Sequence, residues 1–300
     1  MKKLVALLFL GFALGIAVPQ QASAQDVLNG VYLKKRDKDR KPIPYKPIVE
    51  SDIAWGRFVV RMIDLREKVN LPLYYPTQPI QERMSLIDLL LYGIKDEGSI
   101  VPFNPDGWAG EEFDIPMTWS EIESKFDAKP DTTLSYDPTT GEPITIVAEG
   151  QMNTFEVKQY MVKEMWFFDR KHSALEVRVI GLCPIREYVP RAQGALSAES
   201  QALAEEMSGE VKKERLFWVH FQEARPLLAN HEVFNPLNDA ESRTFDDVFF
   251  KRKFSSYIIQ ESNVYDNRDI NQYSLGTGTL QESDRVYKAI FNYEQDLWEY

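Results

Sequence analysis

The sequence predicts an α+β fold: an antiparallel sheet with flanking amphipathic helices, preceded by an extended Pro-rich N-terminal arm. Three observations predict it. Helical spacing of apolar residues dominates the first half of the chain. Alternating strand patterns then come in a run, without the strand–helix–strand alternation that signals a parallel sheet. Finally, Lys41-Pro42-Ile43-Pro44-Tyr45-Lys46-Pro47 places three prolines within six residues, which excludes a helix there.

The chain divides into three parts. Residues 1–24 read as a secretory signal peptide: Lys2 and Lys3, an apolar run from Leu4 to Val18, then the small residues Ala22-Ser23-Ala24. Cleavage is expected between Ala24 and Gln25. The apolar run is shorter than the roughly 20 residues a membrane-spanning helix needs. No cysteine lies near the cleavage site, so the exported chain is not expected to carry a lipid anchor of its own. Residues 25–50 form the arm. Residues 51–300 are expected to form a single α+β domain, with surface insertions near 127–150 and 191–213.

Within the domain, Ser51 to Asn70 reads as a helix. Ser51 can cap it, and Trp55, Phe58, Val59, Met62, Leu65 and Val69 form one apolar face at helical spacing. Arg57, Arg61, Asp64 and Lys68 form the opposite stripe. Asn70-Leu71-Pro72 ends that helix, and Leu73 to Pro76 follows as an extended aromatic segment. Ser85 to Ile94 is a second helix. Asn104 to Gly110 is rich in turn residues. Thr118-Trp119-Ser120-Glu121 fits a capping box and starts a short helix to about Phe126. Residues 127–143, with Asp137-Pro138-Thr139-Thr140-Gly141, read as a hairpin loop or surface insertion.

In the second half, Val162 to Asp169 is aromatic-rich, Asp169 to Ser173 is a turn, and Leu175, Val177 and Val179 alternate with Glu176, Arg178 and Ile180. This is the pattern of an antiparallel hairpin with a buried face. Leu216 to Gln222 alternates as another strand. Thr244 can cap a helix from Phe245 to Ile259. Asp284 to Trp298 closes the chain as an amphipathic helix with Val286, Ile290, Tyr293 and Leu297 on one stripe.

The net charge of −11 argues against a nucleic-acid partner, which needs clustered Lys and Arg, and against direct adsorption to an anionic membrane. Membrane association is expected only through a protein partner. Cys183 is the sole thiol and lies in the apolar stretch Val179 to Cys183, where it reads as a small buried hydrophobe. No Gly-rich phosphate loop, Gly-x-Ser-x-Gly elbow or His-Glu-x-x-His pair occurs. His172, His220 and His231 match no zinc spacing, and Glu232 beside His231 is the weak exception. Asp106 near Trp108, and Glu111-Glu112 before Phe113, are the acid–aromatic neighbours that a carbohydrate-acting protein would use. On these grounds no catalytic residue, cofactor or metal is expected.

Several segments together carry a resemblance: Lys41 to Tyr45, Asp52 to Arg57, Arg61 to Lys68, Asn70 to Pro76, Ser85 to Asp88, Val162 to Asp169 and Arg178 to Pro184. In this order the chain resembles the GldN/PorN family, from about residue 30 onward and most strongly over 41–92 and 157–190. The resemblance implies a non-catalytic periplasmic subunit of the type IX secretion and gliding machinery. It implies a ring at the inner face of the outer membrane, built from copies of the chain and a GldK/PorK-like lipoprotein, and contact with the periplasmic part of a GldM/PorM-like protein. A ring requires that one surface of each copy meet a different surface of the next. Pro42, Pro44 and Tyr45 in the arm, with Arg57 and Arg61 on the charged stripe, are the residues expected at such contacts. A periplasmic carbohydrate-binding or carbohydrate-hydrolysing protein is the competing expectation.

Overall fold

A computed structural model of the protein describes residues 40–80, 83–105, 113–128, 131–136, 143–148, 152–189, 211–238 and 241–298. Its centre is the hairpin that the sequence marks most clearly. Strands β5 (Val157–Asp169) and β6 (Ala174–Tyr188) pair antiparallel along nearly their whole length, from Val157 opposite Arg186 to Asp169 opposite Ala174. Asp169 holds the turn: its Oδ1 accepts from the Lys171 amide at 2.8 Å, and its Oδ2 lies 2.5 Å from His172 Nδ1. Ser173 closes it with φ of +48°.

Strand β1 (Ile53–Asp64) pairs antiparallel with β5, and β11 (Tyr257–Glu261) pairs with β1. On the far side of β6 lie β7 (Lys212–Arg215) and β8 (Trp218–His220), and β2 (Pro102–Phe103) pairs with β8. The result is a seven-stranded antiparallel sheet in the order β11-β1-β5-β6-β8-β2, with β7 beside β6. Strands β3 (Asp131–Tyr136) and β4 (Pro143–Ala148) form a separate two-stranded hairpin, so 131–136 is strand where the sequence suggested a hairpin loop or insertion; the turn itself lies outside the described residues. Strands β9 (Glu232–Val233) and β10 (Arg243–Thr244) form another short pair.

Among the described residues, the helices that flank the sheet are α1 (Leu71–Tyr74), α2 (Leu86–Lys95), α3 (Trp119–Lys125), α4 (Phe221–Asn230), α5 (Phe245–Phe250) and α6 (Thr277–Trp298). Their starts follow from local chemistry. Ser85 Oγ accepts from the Asp88 amide at the head of α2. Glu121 reaches back to the Thr118 amide at 2.7 Å ahead of α3. Thr244 and Asp247 satisfy each other's amides at the head of α5. These are the caps that leave fewest amide groups without a partner.

Both faces of the sheet are covered. Ile63, Tyr160, Val162 and Leu182 point to one side, where Leu86 and Leu90 of α2, Phe221 and Leu228 of α4, and Phe245 and Phe249 of α5 pack. Val59 and Trp166 continue that side under Val286 and Ile290 of α6. On the opposite side Val60, Met161, Cys183, Ile185 and Trp218 pack with Ile259, Phe103 and Phe113.

This two-sided burial explains where the sequence reading fails. The 51–70 segment is strand β1, not a helix. A strand with only one buried face alternates, but β1 buries Val59 and Val60 on opposite faces and Ile63 beyond them. Apolar residues of both parities then imitate a helical repeat, while β-branched Ile53, Val59, Val60 and Ile63 suit the pleated backbone. Leu71–Tyr74 is a short helix rather than extended, since Pro72 sits in its first turn, where no amide donor is needed. Helix α5 stops at Phe250, not Ile259: Arg252 turns left-handed at φ +50°, and Ile258 and Ile259 join β1 as part of β11. The Leu216–Gln222 segment is strand only from Trp218 to His220, and α4 begins at Phe221. The last helix starts at Thr277, two turns before Asp284, just after Gly276 at φ +62°. The 191–213 insertion lies outside the described residues except at its end, where Lys212 and Lys213 already belong to β7.

Candidate interaction surfaces

The described part of the Pro-rich arm, 40–49, has no regular secondary structure, and it belongs to the compact unit Arg40–Tyr300. Prolines 42, 44 and 47 keep it extended, so its own backbone groups must find partners elsewhere. Arg225 of α4 supplies one. Its Nη2 donates to the Ile43 carbonyl at 2.7 Å. Arg178 of β6 supplies another, donating to the Lys46 carbonyl at 2.5 Å. Ion pairs add Arg40 to Asp247 at 2.9 Å and Lys46 to Glu176 at 3.5 Å.

Tyr45 is the anchor. Its ring stacks on Phe250 at 5.9 Å between centroids, with the Arg225 guanidinium 4.3 Å and the Arg178 guanidinium 5.0 Å from its centre. Two cations beside one aromatic ring are favourable where water is excluded. Burial pushes the Tyr45 phenol up from its ordinary value; Arg225 and Arg178 oppose this and Asp246 adds to it. Arg225 is 3% exposed, and Asp246 neutralises it through Nε–Oδ1 at 2.8 Å and Nη2–Oδ2 at 3.2 Å. The opposite side of the arm is solvated: Ile43, Pro44 and Val49 are exposed.

Arg57 and Arg61, both on β1, lie on one face of the sheet and are engaged within the chain. Arg57 Nη1 meets Glu261 Oε2 of β11 at 2.7 Å and the guanidinium lies 5.9 Å from the Trp55 ring. Arg61 donates to Ser256 Oγ and to its carbonyl, both at 2.8 Å, and lies 6.0 Å from the Trp166 ring. Burial lowers the Arg61 pKa, with Glu164 opposing and Arg252 assisting. Arg57 and Arg61 therefore tie β11 and the loop before it to β1.

The remaining singled-out residues do not converge. His231 Nδ1 sits 3.0 Å from the Leu227 carbonyl, and His172 pairs with Asp169. The His220 ring packs edge-on to Phe113. Cys183 is fully buried, as its apolar neighbours suggest. Among the described residues, no three His, Cys, Asp or Glu side chains group as a metal site. Ala24, Gln25, Asp106, Trp108, Glu111 and Glu112 lie outside the described residues.

A second surface escaped the sequence reading. An apolar groove of about 520 Å³ runs between α1 and the segment after β9. Leu71, Pro72, Tyr75 and Pro76 line it from α1 and the residues that follow, Phe234 and Pro236 from the segment after β9, and Ile80, Lys68 and Arg83 complete the lining. Asn70 fixes the α1 side: fully buried, it donates to the Asp64 and Ser255 carbonyls at 2.8 and 2.9 Å and accepts from the Ser255 amide at 2.9 Å. Three prolines near exposed aromatics were the available signal, but they come from separate segments.

The family model for gliding motility associated protein GldN matches residues 48–299. The chain belongs to the GldN family. It is a component of the gliding-motility and type IX secretion machinery, within a family of structural components. A comparison with curated proteins gives no match. The GldN match starts directly after Pro47, so it spans the sheet, its helices and the apolar groove, while the clamped stretch Arg40–Pro47 precedes it. Arg225, Asp246 and Phe250, which hold that stretch, all lie inside the matched region.

Proposed function

We propose that this GldN-family chain is a non-catalytic periplasmic subunit of the type IX secretion machinery. In this reading residues 1–24 direct export and are removed between Ala24 and Gln25. The chain joins a ring at the outer membrane with a GldK/PorK-like lipoprotein, and the periplasmic part of a GldM/PorM-like protein contacts that ring. The observation that carries the reading is the family match across 48–299, which takes in every strand of the main sheet.

The arm geometry adds a mechanism. A heterologous contact needs two different surfaces on each copy. With Tyr45 and the Ile43 and Lys46 carbonyls bound inward, Ile43, Pro44 and Val49 face outward as a pre-ordered strip. A partner meeting a strip already held in place loses less conformational freedom than one meeting a free tail. Arg57 and Arg61, spent on Glu261 and Ser256, support β11 rather than offering loose charges.

The test is affinity purification of the tagged protein from detergent-solubilised outer membranes, followed by particle imaging. The expected result is ring-shaped particles that contain the lipoprotein. A monomer recovered from the soluble periplasm without that partner overturns the reading.

A further inference from the structure

We propose that the groove between α1 and the segment after β9 docks an extended, apolar peptide segment that carries carboxylates, supplied by another protein. The proposal names the chemistry of one partner contact and rests on the assembly role above.

Shape is the first argument. A volume of about 520 Å³ falls within the range of formed binding sites, about 300–1,000 Å³. Tyr75, Ile80 and Phe234, all lining the groove, are 55%, 62% and 47% exposed. Clustered exposed apolar area of this kind marks an interaction site. Prolines 72, 76 and 236 stiffen the walls next to aromatic rings, a surface suited to an extended ligand that lays side chains between them.

Rigidity is the second. The groove does not need to form on binding. Asn70 pins α1 to the Ser255 backbone. Ile80 and Arg83 exchange backbone hydrogen bonds at 2.9 and 3.0 Å. Asn235, 4% exposed, bonds Glu241 through Nδ2 at 3.1 Å and accepts from the Leu237 amide at 3.2 Å, which sets the Phe234–Leu237 turn.

Charge chooses the occupant. On a chain of net charge −11, this groove is lined by two cations and, among the described residues, by no carboxylate. Lys68 forms no ion pair with the described residues, and Arg83 lies over the Phe234 ring at 5.7 Å with its charge likewise unmatched among them. An apolar segment flanked by Asp or Glu meets both. The chain's own arm does not: Lys41 and Lys46 repel Lys68 and Arg83, and the arm is already seated on Arg225 and Arg178.

The test uses fluorescence anisotropy on the purified protein with a library of short synthetic peptides: apolar cores with acidic flanks, and siblings with lysine flanks. The acidic set is expected to bind about threefold to tenfold more tightly, the range that two solvent-facing charge pairs supply. In Lys68→Glu/Arg83→Glu that preference reverses. In Ile80→Asp binding falls about tenfold or more, at unchanged melting temperature, since an apolar contact is replaced by a charge. Equal binding of both peptide sets, no saturable binding, or undiminished binding by Ile80→Asp overturns the proposal. Binding to anionic phosphatidylglycerol vesicles instead of peptides also overturns it. The outcomes separate from those of the assembly reading: rings that purify normally from a protein that binds no peptide sink the groove alone, and a soluble monomer that binds acidic peptides sinks the ring alone.

Discussion

Arg225 and Asp246 form a buried two-point ion pair, 2.8 and 3.2 Å, and the outer edge of the same guanidinium holds the Ile43 carbonyl and covers the Tyr45 ring. One side chain of α4 thus joins the N-terminal arm to the domain, beside Phe250 and Asp247 of α5. The pair compensates a charge that would otherwise be costly to bury. The arm in turn shields the pair from water, so the two depend on each other.

Tyr45→Ala removes the ring from Arg225, Arg178 and Phe250 together. The expected loss is about 1–3 kcal/mol, from aromatic and cation–π contacts in a water-poor site. Trypsin should then cut after Arg40 before the domain, since Lys41 and Lys46 each precede a proline and resist it, and Tyr45→Phe should behave as the parent. Equal cleavage rates in Tyr45→Ala and the parent would show that the arm is not held by this clamp.

Glu164 and Arg252 make a second buried link. Glu164 is 0% exposed; it accepts from Arg252 at 2.8 and 3.1 Å and from Trp166 Nε1 at 2.9 Å. Arg252→Ala leaves that carboxylate hydrogen-bonded to the indole, with the Arg61 charge as its remaining compensation, and the expected cost is about 3 kcal/mol. Glu164→Gln with Arg252→Met removes both charges and should recover a large part of it. Chemical denaturation of the three variants measures this; equal losses in the single and double variants would refute the account.

These two links also show what a sequence makes legible. The β5–β6 hairpin could be read directly, because aromatic and β-branched residues flank one Asp-centred turn and every signal is local. The caps at Thr118 and Thr244 were legible for the same reason. Strand β1 was not: Val59 and Val60 are buried against different layers, and that doubles the apolar pattern. Tyr45 could be singled out from its prolines, but its partners Arg178 and Arg225 lie far along the chain. Arg225 stands among Ala224, Leu227 and Leu228, an odd place for a charge and the one local hint of its burial. The groove collects Lys68, Arg83 and Phe234 from three segments that only tertiary structure brings together.

Acid should weaken the fold through identifiable carboxylates. Burial raises the pKa of Asp64, but Arg66 through side chain and backbone, and Gln159, outweigh it and bring it to about 2. Asp247 is lowered too: burial raises it, and Lys251, the Thr244 amide and Arg40 more than offset this. A depressed pKa means stability that is fully present above the ordinary carboxylate value of about 4 and is lost as pH falls through the lowered one. Melting temperature should therefore drop between about pH 4 and 2, and Asp64→Asn should flatten part of that slope. Because Asp247 also holds Arg40, arm cleavage by an acid-active protease should rise over the same interval. Superimposable acid profiles for Asp64→Asn and the parent would refute the assignment.

Gly93 sets how closely α2 approaches α4. A methyl group there would lie 2.5 Å from Leu227 Cδ2 and 2.8 Å from Ile100 Cδ1. Helix propensity alone favours Gly93→Ala by about 1 kcal/mol. Overpacking costs about 1–3 kcal/mol and acts against it. The clash is with buried neighbours on both sides, so the cost should win and Gly93→Ala should lower the melting temperature. Leu227→Ala alone opens a cavity worth about 2–5 kcal/mol. It also makes the space that the added methyl group needs, so the double variant should lose at least about 1 kcal/mol less than the two single losses combined. Additivity within about 0.3–0.5 kcal/mol would mean that the two helices do not meet at Gly93 and Leu227 as described.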